Sequence, residues 1–362
     1  MKEYSREQLA ILKLASVEGI GYQHKKAIAA LSESLADLME CPERYRSELM
    51  TVGTDVLDKL LDINESFDES AFLRYLEKYD IVALFEGEDD YPRELEILED
   101  APTVLFCRGN LSLLTGERFA VVGTRAPTRY GRDVTDLFAR DVSKAGYTIV
   151  SGLARGVDAI AHAAALEGDA STIAVLGCGV DRVYPAENRD LYGRIAEKGL
   201  LLSEYFPGAE PLSYHFPHRN RIISALSTGV LVTEAGKKSG TLITVNEALS
   251  QGKDVFIVPG NIFSAQSMGA NEMLHNPQCM IATDPEDILS YYGKKGQRVE
   301  PDAHQLTTEE VIIYSALTDE DKHFEELLSL TGLSMGELMA TLTKLEVLGV
   351  IKKHPGNYYG IY

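Results

Sequence analysis

Short apolar runs recur between residues 119 and 283, and that recurrence restricts the fold more than any other feature of the chain. FAVVG (119–123), TIVSG (148–152), TIAVLG (172–177), LLLSEY (200–205), VLVTEA (230–235), DVFIVPG (254–260) and CMIAT (279–283) are β-rich and almost wholly apolar. Runs without a polar alternate face suit strands buried on both sides. Segments of helical character separate them, RDVTDLFARDVSKAG and TLITVNEALSQG among them. Such alternation predicts an α/β fold built on a doubly wound parallel sheet. In sheets of that kind ligands bind beyond the carboxyl ends of the strands, at the point where the strand order reverses.

The flanks read differently. Residues 1–80 show helical spacing throughout and form a small helical domain. Its first two helices are broken by Gly19-Ile20-Gly21. A helix–GxG–helix element can present loop amides to a nucleic-acid backbone, but the strongly acidic surroundings favour a packing turn. IVALFEG (81–87) reads as a strand and opens a central domain over 81–292. An extended connector with Pro92 and Pro102 follows it. Residues 293–304 are a polar, glycine-containing linker. The last segment, 305–362, contains two Thr/Ser-x-x-Glu capping boxes, at Thr307–Glu310 and Ser334–Glu337, and a hairpin signal across Pro355-Gly356-Asn357. Three helices and a hairpin make a winged-helix arrangement. Its second helix carries Lys344 against Glu337 and Glu346. Groove reading wants several Arg, Lys, Asn or Gln, so the module suits protein contact or regulation better. Lys352, Lys353 and His354 on the hairpin are the remaining option for DNA.

The chain has 362 residues and a formal net charge of −20. That balance alone argues against nucleic acid as a partner. The charge is uneven, however. From Arg219 to Lys238 the one acid is Glu234, beside Arg219, Arg221, Lys237 and Lys238. Cys41, Cys107, Cys178 and Cys279 are scattered and have no zinc-ligand spacing, which suits a reducing compartment. MKEYSREQLAILKLA has no signal-peptide pattern, and no apolar run approaches the ~20 residues of a membrane span. The sequence therefore reads as cytoplasmic, with no membrane contact.

The loops after the strands hold the candidate chemistry. Gly123-Thr124 and Ser239-Gly240-Thr241 pair small residues with helix starts, so their backbone N–H groups are expected to be free for phosphate oxygens. Arg125 and Lys238 stand beside them for charge-assisted bonds. No GxxxxGK[ST] occurs, and GTRAPT and GCGVDR lack dinucleotide spacing. Asp158 and His162 share a helical face at i,i+4; fixing the loop after the second strand suits them better than acid–base work. His215 and His218 flank Pro217 and read as structural. Glu234 is expected to pair with an arginine. No metal cluster or catalytic triad stands out, and no cofactor is expected.

At this level of detail VVGTRAPTRYG, SGLARGVDAIAHAAAL, TIAVLGCGVDRVYPAENRDLY, LLSEYFPG, FPHRNRIISALS, VLVTEAGKKSGTLITVNEAL and DVFIVPGNIFSAQSMGAN, in this order, resemble the DNA-processing protein A family (DprA, also called Smf). The likeness spans nearly all of residues 81–290. It implies a Rossmann-like domain that binds single-stranded DNA, shields it from nucleases and loads the RecA recombinase in natural transformation. It also implies a homodimer formed through that domain, with no enzymatic step. The family's GSR-type loop corresponds to Gly123, Thr124 and Arg125, with Thr124 where serine is common. Its FPxRNR stretch falls on Phe216 to Arg221, which includes Arg219 and Asn220, and its KSGS/T loop on Lys238, Ser239, Gly240 and Thr241. Arg155 and Lys237 complete the expected DNA-binding set. Phe216 and Tyr130 are the stacking candidates, with Phe216 equally suited to the core. Arg219 and Arg221 either hold phosphates or fix the loop through Glu234, Arg221 nearer the structural end because it enters the helix. The segment 262–282 is the expected dimer face. A competing reading is a Rossmann-like nucleotide hydrolase of the lysine-decarboxylase-like type, with Glu234 or Glu247 as its acid. It lacks the family's PGG, and Lys237-Lys238 stand where glycines belong.

Overall fold

The computed structural model describes residues 3–168, 171–294, 306–318, 320–347 and 350–361. They fall into two compact units, Met1–Gly296 and Gln297–Tyr362. The linker expected at 293–304 lies, from 295 onward, outside the described residues.

The first unit opens with six helices: α1 (Arg6–Ser16), α2 (Tyr22–Ala29), α3 (Leu35–Glu40), α4 (Arg46–Val52), α5 (Val56–Ser66) and α6 (Glu69–Lys78). A Ser5–Gln8 capping box starts α1. Leu14, Ile28, Leu38, Leu49 and Leu60 bury together as the core of this module. The glycine turn between α1 and α2 is braced from inside. Lys59 Nζ donates to Gly19 O at 2.9 Å, and Lys25 Nζ donates to Ala15 O at 2.6 Å. Those cations are spent on the turn's own carbonyls. Leu12 of α1 and Leu76 of α6 face the other way, onto the sheet.

The sheet elements follow in chain order as β1 (Val82–Phe85), β2 (Val104–Gly109), β3 (Arg118–Val122), α7 (Arg129–Lys144), β4 (Thr148–Ser151), α8 (Val157–Ala165), β5 (Thr172–Val175), α9 (Arg189–Lys198), β6 (Leu200–Ser203), α10 (His215–Ala225), β7 (Gly229–Val232), α11 (Thr241–Ser250), β8 (Asp254–Ile257), α12 (Met268–Met273), β9 (Cys279–Ile281) and α13 (Pro285–Tyr291). The strand order is β1-β2-β6-β5-β4-β3-β7-β8-β9. From β6 to β9 every neighbour is parallel. β2 pairs antiparallel with both β1 and β6. β2 corrects the sequence reading, which left this segment as connector. Its strand starts two residues beyond Pro102, so neither proline enters the ladder.

Every residue of β3 to β7 is buried, as continuous apolar runs require. Alternate side chains feed two cores. Ala120, Val122, Val230 and Val232 meet Ile222 and Ile223 of α10 and Val245 of α11 on one face. Phe119, Val121 and Leu231 meet Phe138 of α7 and Ala161 of α8 on the other. The crossovers from β3 to β6 thus lie on one face and the later ones on the opposite face. The winding reverses between β3 and β7, which are neighbours in the sheet.

The second unit consists of α14 (Thr308–Leu317), β10 (Lys322–His323), α15 (Phe324–Thr331), α16 (Met335–Val347), β11 (Ile351–His354) and β12 (Tyr358–Ile361). Its sheet order is β10-β12-β11, adding one short strand to the expected hairpin. Both expected capping boxes form. Ile313, Leu327, Leu338, Leu342 and Ile351 make the core of a winged helix. Lys344, the one cation of α16, is held by Glu310 at 2.6 Å.

Candidate functional site

The winding reversal leaves a crevice at the carboxyl ends of β3 and β7. There the structure has a cleft of about 680 Å³. Its walls come from the loops after β3, β4, β5, β6, β7 and β8 and from the first turns of α10. Gly123, Thr124, Arg125, Phe216, Arg219, Asn220, Lys238, Ser239, Gly240 and Thr241 all line it. The loop after β3 turns so tightly that a Cβ on Gly123 would lie 2.9 Å from Glu234 O and 2.6 Å from a Val157 methyl. Only glycine lets that loop seat against the end of β7.

Arg219 forms the floor. It is 3% exposed and donates to Gly152 O at 2.8 Å and to Val175 O. A Cβ on Gly152 would lie 2.4 Å from its Nη2, so that position is glycine for the sake of the arginine. Burial lowers the pKa of this guanidinium, against the opposing pull of Asp158. Asp158, also in the floor, is raised by burial, against the charge of Arg219 and the Ala154 amide at 3.3 Å. His162 is fully buried and outside the cleft. Its Nε2 accepts from Leu153 N at 3.2 Å, and its Nδ1 meets Thr172 Oγ1 at 2.7 Å. Burial, then the charge of Arg219, push it down to about 3. Asp158 and His162 therefore pin the loop after β4 between them, and the neutral imidazole has no access to a ligand.

The rim is cationic and aromatic. Arg125 and Lys238 have no carboxylate partner among the described residues. The Arg125 guanidinium lies 5.8 Å from the Phe216 ring centroid, within cation–π reach. The Phe216 ring in turn sits 5.3 Å from Tyr184. Tyr184 is 43% exposed and lines the cleft. Sequence reasoning passed over it; its signal is an aromatic residue directly before Pro185 in the loop after β5.

Three expected residues stand elsewhere. Arg221 points away from the cleft and is clamped between Asp100 (Nε to Oδ2, 2.7 Å) and Glu204 (Nη2 to Oε2, 2.7 Å). Arg155 pairs with Glu187 and lines a smaller neighbouring pocket with Arg125 and Phe216. Lys237 lies 3.7 Å from Glu272, both exposed. Tyr130 lines a separate depression and donates to Pro259 O at 2.7 Å. Among the described residues Glu234 pairs with no arginine. It accepts from Thr128 N at 2.8 Å and Thr128 Oγ1 at 2.7 Å, at the start of α7. The free amides expected in the loops are mostly spent. Thr124 N donates to Glu234 O at 2.7 Å, Ser239 N to Gly236 O at 3.0 Å and Thr241 N to Ser239 Oγ at 3.2 Å. His215 stacks on Tyr205 at 3.8 Å, and His218 bridges Asp100 and Glu204.

Residues 82–293 match the family model described as DNA recombination-mediator protein A. The chain belongs to this family. Residues 297–357 match the DprA winged helix domain, as the fold of the second unit requires. Protein Smf of Synechocystis is 30% identical over 393 residues, covering 98% of both chains. The DNA processing protein DprA of Bacillus subtilis is 43% identical over 213 residues, 58% of this chain and 71% of the relative. Among solved structures, DprA of Streptococcus pneumoniae superposes with a TM-score of 0.67 at 32% identity, covering 80% of this chain and 98% of that one. DprA of Helicobacter pylori, whose structure was described for its single-stranded DNA binding mode, gives 0.55 at 34% identity over 59% and 96%. The family model begins at the first strand of the sheet, so the six-helix module lies outside its match.

Among the described residues no helix is long and apolar enough to cross a membrane.

Proposed function

We propose that this chain is a cytoplasmic, non-enzymatic mediator that binds single-stranded DNA in the cleft between β3 and β7, protects it, and loads the RecA recombinase onto it, as in natural transformation. The supporting observation is the rim: Arg125 and Lys238, without carboxylate partners among the described residues, beside the half-buried Phe216 and the exposed Tyr184. Single strands are held by a cationic groove and by bases stacked on aromatic faces, each worth about 1–3 kcal/mol. Arg219 contributes as a buried positive floor rather than as a mobile phosphate ligand. The single-stranded binding described for the Helicobacter pylori relative supports carrying this ligand over. A homodimer through the sheet domain completes the proposal. In the expected segment Met273 and Leu274 pack against their own core, so exposed Ile281, on the edge strand β9, is the better probe of that face.

Nucleotide hydrolysis is not favoured: Glu247 lines neither the cleft nor the depressions beside it, and both carboxylate oxygens of the buried Glu234 are taken by the Thr128 amide and hydroxyl. The direct test is fluorescence anisotropy on an oligonucleotide and its duplex across a salt series. Preference for the single strand is expected, with log K falling by about 0.7 per contacted phosphate for each unit of log salt. Equal or absent binding would refute the reading. RecA loading is tested separately, by RecA filament growth on strands precoated with single-stranded DNA-binding protein.

A further inference from the structure

A second depression, of about 520 Å³, lies beside the main cleft at the same edge of the sheet. One loop walls both. Gln266 lines the main cleft, where it accepts from Thr124 Oγ1 at 3.2 Å, while Ser264 and Ser267 line the second. The loop is held firmly from within. Asn271 exchanges two hydrogen bonds with the Gly260 backbone, at 2.9 and 3.0 Å, and Asn261 Oδ1 accepts from Phe263 N at 2.9 Å. Phe263, between Asn261 and Ser264, is 88% exposed. Tyr130, in the lining of the depression, is 45% exposed, with its hydroxyl fixed on Pro259 O.

The chemistry of this depression excludes a phosphate. Its floor holds Glu234, 1% exposed, whose two carboxylate oxygens already take the Thr128 amide and hydroxyl that an anion would need. An uncharged, flat ring with polar edges meets no such penalty. The pinned Tyr130 lines the depression, Phe263 projects from the chain between the lining residues Asn261 and Ser264, and Arg129, 3.7 Å from Asp133, stands in the lining as well. We infer that this depression is a nucleobase subsite, taking a base of the strand whose phosphates lie in the main cleft. The inference rests on the single-stranded DNA reading above. Its geometry adds a direction: the strand crosses the Thr124–Gln266 contact and continues along the sheet edge towards α7.

The test uses the full chain with oligothymidylates of about 4 and about 16 nucleotides, the span of single-strand site sizes. Phe263→Ala and Tyr130→Leu are expected to weaken the long strand at least about fivefold, the lower end of one lost stacking contact. The short strand, filling the main cleft, keeps its affinity, whereas Arg125→Ala weakens both. Photo-crosslinking with 5-iodouracil along the long strand should label Tyr130 or Phe263. Unchanged long-strand binding in both variants, with crosslinks confined to Phe216 and Tyr184, overturns the subsite while leaving the main cleft intact. Absence of all binding by the unmodified protein overturns the underlying reading instead. If Phe263→Ala produces monomers in sedimentation and its weakened binding follows dimer loss alone, the patch is an interface between copies and the subsite is wrong.

Discussion

Arg221→Met separates two roles that the FPHRNR motif leaves indistinguishable. The guanidinium is 5% exposed and its main partner, Glu204, 7% exposed. Removing one member of a buried ion pair costs about 3–5 kcal/mol, because the other charge is left uncompensated. Here the lower end applies. Glu204 keeps His218 Nδ1 at 3.2 Å, and Asp100 is one-third exposed and keeps His218 Nε2 at 3.1 Å. A loss of about 3 kcal/mol lowers the midpoint of a domain this large by roughly 6 °C, at about 2 °C per kcal/mol. Thermal and urea unfolding followed by circular dichroism would measure it, with single-stranded DNA affinity taken well below the transition. The affinity should stay within about twofold. Arg221→Met combined with Glu204→Gln should recover part of the stability, since the stranded carboxylate is gone. An unchanged midpoint together with a salt slope shallower by about 0.7 would mean that Arg221 holds a phosphate, and the structural assignment would be refuted.

Arg125→Ala with Lys238→Ala should make the salt dependence of single-strand binding shallower by about 1.4, two contacts at about 0.7 each, without changing the melting point; an unchanged slope would move the phosphates elsewhere. Phe216→Ala should weaken the same strands by about 1–3 kcal/mol at every salt concentration, measured by anisotropy. His218 is raised to about 9, first by its hydrogen bond to Asp100 and then by that to Glu204. A raised pKa means stability fully present below the unfolded value of about 6.5 and lost as pH rises through 9. With the side chain 39% exposed, the loss is screened to about 1 kcal/mol, and urea midpoints of His218→Gln should show a flatter pH profile over that window. Ile281→Glu should give monomers by sedimentation velocity; a persistent dimer would place the interface away from β9.

The parallel sheet was legible because its strands are buried on both faces, and a strand with no wet side has no alternation to hide its length. β2 escaped that signal although its first four residues are equally buried: VLFCRG trails a connector with two prolines, and its pairing with β6 spans about a hundred residues of chain. The glycines and hydroxyls of the cleft could be placed because tight turns after strands demand them locally. The fate of the cations could not. Arg221 is claimed by Asp100, 121 positions away, and Arg155 by Glu187, 32 positions away. No spacing rule signals a partner at such distances. Likewise the sequence shows loop amides but not which carbonyls, such as Glu234 O, already occupy them.

The six-helix module is stitched to the sheet rather than hung from it. Phe72 lies flat against Phe206 at 4.7 Å, Tyr75 donates to Asp181 at 2.6 Å, and Tyr22 donates to Ala101, next to the Asp100 that holds α10 through His218 and Arg221. A chain begun at residue 81 would therefore uncover the greasy flank of Ile81, Phe85 and Phe106 and slacken the strap behind Phe216 and Arg219. Its poor solubility and its weakened grip on a ligand would share one origin.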